Sequence, residues 1–64
     1  MNDVKMKIRG NWNVLKGKAK KEWAHLTDDD LQYTEGQEDV LLGNLQRKTG
    51  ETMESIGNWI NKNI

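Results

Sequence analysis

His, Ser and Tyr, the residue types that together with Cys most often exchange protons or attack substrates, occur once each in this chain, as His25, Ser55 and Tyr33, and Cys is absent. Catalysis needs such groups to converge in a water-poor cleft, with a base beside each nucleophile. Ser55 has no base at a readable spacing. His25 falls at the end of the first long helical stretch, where a partly charged imidazole complements the negative end of the helix dipole. The inventory therefore predicts no enzyme, no catalytic residues and no cofactor.

Asp28, Asp29 and Asp30 invite a metal, because hard cations take carboxylate oxygens. A calcium loop, however, spaces its ligands at alternate positions around a turn glycine and ends on a bidentate Glu, and that spacing is missing. Three acids after Thr27 are better explained by a helix start, so no metal site is expected. The remaining chemistry is cationic. Lys16, Lys18, Lys20 and Lys21 cluster on the first long helix, where they are candidate polyanion contacts, with Trp12 able to stack on a base if exposed.

These groups need elements to position them. Scattered β-branched residues, no Pro and no sustained alternation speak against strands, and the helical period fits throughout. From Asn11, a good N-cap, Trp12, Leu15, Ala19, Trp23 and Leu26 form one apolar stripe. Val4 and Ile8 extend it backwards past Gly10, where a frayed or separate first turn is expected. Thr27 with Asp30 reads as a capping pair opening a short second helix near Asp28, ended by Gly36. Val40, Leu41, Leu42 and Leu45 give the apolar face of a third helix running to about Lys48 and stopped by Thr49-Gly50. Met53, Ile56, Trp59 and Ile60 lie on one side of a fourth.

Four short helices with short connections predict an all-α fold of two antiparallel hairpins packed together. The expected core is Leu15, Ala19, Trp23, Leu31, Leu41, Leu45, Ile56 and Ile60. Gly17 and Gly43 fall inside helices, where each costs roughly 1 kcal/mol against Ala, and close helix approach is the simplest compensation.

Composition bounds the rest. With 64 residues the chain makes one domain, read here as 1–64, whose core is small. Hydrophobic residues make up 34%, charged residues 31%, and the mean hydropathy of -0.95 lies near the border of disorder. No apolar run reaches signal-peptide or membrane-spanning length, so a cytoplasmic protein without membrane attachment is expected. Formal net charge is zero, yet residues 1–22 carry seven basic and two acidic side chains (+5), and residues 23–64 carry three and eight (-5). Such asymmetry points to polyanions or to self-association through opposite ends.

The order Trp12, Lys16-Gly17-Lys18, Trp23, Leu26-Thr27-Asp28-Asp29-Asp30-Leu31, Gly36, Leu42-Gly43, Leu45-Gln46 and Gly50 resembles the CsbD-like family of small bacterial general-stress proteins. The resemblance is strongest over residues 8–50, and residues 51–64 follow no motif of the family. It implies a short, hydrophilic, helical protein made in general stress or stationary phase, similar to hydrophilic proteins thought to protect cells during water loss. It also implies that the two hairpins cross roughly orthogonally, as in some nucleic-acid-binding modules.

The reading is a small non-enzymatic stress-response protein, monomeric, protective or weakly binding a protein partner. The alternative is a nucleic-acid-associated module whose phosphate contacts are Lys16, Lys18, Lys20 and Lys21. Against it stand the zero net charge and the acids of the second half. A membrane-surface role is disfavoured because Trp12 and Trp23 are needed in the core.

Overall fold

The computed structural model describes residues 2–64, with side chains from Asp3 onward; Met1, part of the 1–64 domain read from the sequence, lies outside them. The described residues are all helix, turn and loop, without strands. Three α-helices follow one another, α1 (Asn2–Glu22), α2 (Glu38–Thr49) and α3 (Met53–Lys62), and each packs on both others.

The apolar stripe dictates α1. Val4, Ile8, Trp12, Leu15 and Ala19 are all buried, so the residues before Gly10 belong to the core and not to a frayed turn. The expected break is real but lies one residue on: Asn11 leaves helical geometry (φ -136°, ψ 19°) and kinks α1 into two arms. Kinking at this residue type follows from the ease with which Asn gives up helical hydrogen bonding for local alternatives.

The second of the four expected helices does not form. Its capping pair does: Asp30 N–H donates to Thr27 Oγ1 (3.2 Å) and Thr27 N–H to Asp30 Oδ2 (3.0 Å). The backbone then makes only a tight turn, with Leu31 N–H bonded to the Asp28 carbonyl (3.1 Å) and Gln32 N–H to that of Asp29 (3.4 Å). One distant demand and one local one stop it. The Leu31 carbonyl, which a helix would direct to residue 35, accepts from the Trp12 indole N–H at 3.0 Å, and Gly36 N–H donates to Glu38 at 2.7 Å. The two hairpins expected from four helices thus lack one of their members.

Helix α2 ends as read, on Gly50 in the left-handed region (φ 74°), whose N–H returns to the Gln46 carbonyl. Its buried face is Leu41, Leu42 and Leu45, whereas Val40 is 57% exposed and does not share it. Helix α3 opens on Thr52, whose Oγ1 accepts from Ser55 N–H (3.0 Å) and so satisfies a free amide of the first turn. Ile56 and Ile60 are fully buried.

The core is Val4, Ile8, Trp12, Leu15, Ala19, Leu26, Leu31, Leu41, Leu42, Leu45, Ile56 and Ile60. Of the expected set only Trp23 is not fully enclosed; it packs on the core's edge with Tyr33, Met53 and Trp59. Close helix approach does not explain the interior glycines, because a Cβ on Gly17 or Gly43 would meet nothing within 4 Å.

Candidate functional site

The chain's polar chemistry is mostly engaged in holding the fold. His25, expected to complement the dipole of its own helix, lies in the turn beyond α1 and reaches the last turn of α2 instead, with Nε2 donating to the Lys48 carbonyl at 2.9 Å. It satisfies one of the carbonyls that a helix leaves free. Ser55 Oγ donates to the Glu51 carboxylate at 2.8 Å, just ahead of α3. Tyr33 donates its hydroxyl to Glu38. The three are thus tied to three different parts of the chain.

Glu38 is the residue that the sequence concealed. It is 4% exposed, the one buried charged side chain among the described residues. Its Oε2 accepts from the Tyr33 hydroxyl and from Gly36 N–H, and its Oε1 lies 3.4 Å from Arg9 Nη2. These partners hold its carboxyl below the usual range, the Tyr33 hydroxyl contributing most, against the opposing effect of burial. Burial, followed by Glu38, pushes the Tyr33 phenol up, and the hydrogen bond to Glu38 raises Arg9. Tyr33 also meets the Trp12 ring edge-on, centroids 6.1 Å apart. Locally, Glu38 reads only as an acid favouring a helix N-terminus; Arg9, 29 residues away, carries no sequence signal for the pairing.

The four candidate lysines do not form one patch. Helical spacing sets Lys16 and Lys20 one turn apart on one side of α1, and Lys18 and Lys21 on another. Lys20 pairs with Asp28, whose carboxyl it holds below the ordinary value. Lys16 adds a weaker pull on the same carboxylate. Lys18 Nζ donates to the Asn63 carbonyl at the end of α3 (3.1 Å), and Lys18 and Lys21 line a shallow cleft with Glu22, Trp59 and Asn63. Trp12, considered as a base-stacking group, is 7% exposed and belongs to the core. The tryptophan beside lysines is Trp59, packed at 4.8 Å and 52° on Trp23.

Among the described residues, no three His, Cys, Asp or Glu side chains gather as metal ligands, and Asp28 and Asp30 are drawn into ion pairs and the Thr27 cap. No helix of the described residues is long and apolar enough to cross a membrane.

No solved structure matches the chain. It is 50% identical over 46 residues to a UPF0337 protein of Pectobacterium atrosepticum, covering 72% of this chain and 67% of that one. Over 58 residues it is 38% identical to the UPF0337 protein YjbJ of Escherichia coli K12, covering 84% of each. A UPF0337 protein of Pseudomonas aeruginosa is 47% identical over 47 residues, 73% of this chain and 72% of that one. The sequence pattern of the CsbD-like family matches residues 6–57, which carries the family past the Gly50 stop and into α3, beyond the stretch where the resemblance was legible by motif. The chain belongs to the CsbD-like family.

Proposed function

We propose that this is a non-enzymatic general stress-response protein that acts in the cytoplasm as a monomer, by abundance and solubility or by weak contact with other proteins. One observation supports the reading above the others: His25, Ser55 and Tyr33 each make a structural hydrogen bond in a separate place, so these three groups do not converge in one cleft. A chain with 31% charged residues and mean hydropathy of -0.95 is hydrophilic, which suits a protective role.

The experiment is to dry and rehydrate a labile reporter enzyme with increasing amounts of the purified protein, against an equal mass of an inert globular protein. Retained activity well above that control supports protection. Equal loss in both sinks it, and sedimentation of the protein alone and with the reporter separates a monomeric protectant from a binder.

A further inference from the structure

Lys5–Asp39, Arg9–Glu38, Lys20–Asp28 and Lys48–Asp30 join α1 and α2 to the acids between Asp28 and Asp39. Six cations, Lys7, Lys16, Lys18, Lys21, Arg47 and Lys62, have no carboxylate within ion-pair distance among the described residues, and of these Lys18, Lys21 and Lys62 lie toward the end of α3. Lys18 and Lys21 line the cleft that holds Trp59, and Lys62 stands one helical turn beyond that tryptophan. The half-buried Trp59 is backed by Trp23, so its ring is held in place before any ligand arrives. Lys18 gives one of its three donors to the Asn63 carbonyl, leaving two.

We infer that the cleft formed by Lys18, Lys21 and Trp59 is a docking site for single-stranded nucleic acid, the indole stacking on one base while the two ammonium groups contact flanking phosphates. An aromatic face beside cations is the arrangement that binds single strands without reading their sequence. A shallow cleft with one indole admits an unstacked base, and a duplex keeps its bases inside. A lipid surface fits less well, because most apolar residues of the same two helices, Ile56, Ile60, Leu15 and Ala19 among them, are fully buried, and Val14 is the exposed aliphatic residue on the lysine side of α1. This site goes beyond the protective role proposed above and does not depend on it. It also differs from the patch expected from sequence, since Lys20 is paired with Asp28 and Trp12 is buried.

The test is fluorescence anisotropy of a labelled oligothymidylate of about a dozen nucleotides, titrated with the full chain from about 50 mM salt upward. Binding is expected to weaken with salt, and the double variant K18Q/K21Q to flatten the log–log slope by about 1.4, the share of two phosphate contacts on a single strand. The matched variant K16Q/K20Q keeps the slope. W59L is expected to bind roughly five- to hundredfold more weakly, with W59F between it and the parent, helical circular dichroism confirming that each is folded. Should W59L unfold, the lysine pairs decide alone. The inference is overturned by absence of binding at low salt, by equal losses in the two lysine double variants, by a folded W59L that binds like the parent, by a duplex competing as well as the single strand, or by binding of anionic vesicles or polyglutamate in its place.

Discussion

The indole N–H of Trp12 donates to the main-chain carbonyl of Leu31 at 3.0 Å, a buried hydrogen bond that joins the second arm of α1 to the turn 19 residues later. It fixes the turn where local sequence favours a helix. It also satisfies both a donor and an acceptor that burial would otherwise leave unpaired. Trp12→Phe should therefore cost about 1–3 kcal/mol, most of it from the orphaned carbonyl. Trp12→Ala should cost about 3–5 kcal/mol. Urea denaturation of the two variants checks the order, and a Phe variant as stable as the parent would show the bond to be dispensable.

A stability of about 0.05–0.15 kcal/mol per residue leaves a chain of this size only a few kcal/mol. Leu45 is 1% exposed at the centre of the α2 face. Leu45→Ala, at about 2–5 kcal/mol, should leave much of the population unfolded at room temperature, read as lost amide dispersion in NMR. Val40→Ala, on the same helix but exposed, should change little.

Acid should unfold the protein through Glu38, Asp28 and Asp30. All three carboxyls are held below their ordinary values, Glu38 chiefly by Tyr33, Asp28 by Lys20 and Asp30 by the Thr27 amide. A carboxyl lowered in the folded state stabilises above its unfolded value and loses that stabilisation as pH falls through the folded one. The losses should begin below the ordinary Glu value of 4.5 and continue below the Asp value of 3.8. Glu38→Gln should be less stable near neutrality and show a shallower acid decline, measured as melting temperature against pH.

Alkali acts with the opposite sign on Tyr33. Its phenol is raised by burial and then by Glu38, so its contribution is complete below the ordinary value of 10.0 and disappears as pH rises through the higher folded value. Tyr33→Phe should remove that alkaline step, which ultraviolet titration of the phenolate locates.

Glycines separate space from backbone geometry. A Cβ at Gly43 meets nothing within 4 Å inside α2, so Gly43→Ala should stabilise by about 1 kcal/mol through helix propensity. Gly50 has equal room but φ 74°, and Gly50→Ala should destabilise by about 1–2 kcal/mol through the left-handed backbone alone. Thermal melts of both variants should move in opposite directions.

The helical class, the stripe from Val4 to Ala19, the Gly50 stop and the Thr27–Asp30 capping pair were all legible, because each is decided by residues within a few positions of one another. The missing second helix was not. Its start signal formed as expected, but Trp12 acts on it from α1, and spacing along the chain holds no record of that. The same limit hid the Glu38 site and carried His25 to the end of α2. For the lysines, composition told of charge and not of pairing: Lys20 faces Asp28, while Lys18 turns toward Asn63 and Trp59.

The ion pairs between α1 and the acids from Asp28 to Asp39 lay the cationic end of the sequence against its anionic middle. Opposite charges a few ångströms apart cancel at a distance, so the folded molecule projects a weaker far field than its two halves would if held apart. Head-to-tail attraction between neighbours falls accordingly. Folding itself thus keeps a strongly two-signed chain from clumping with its own kind.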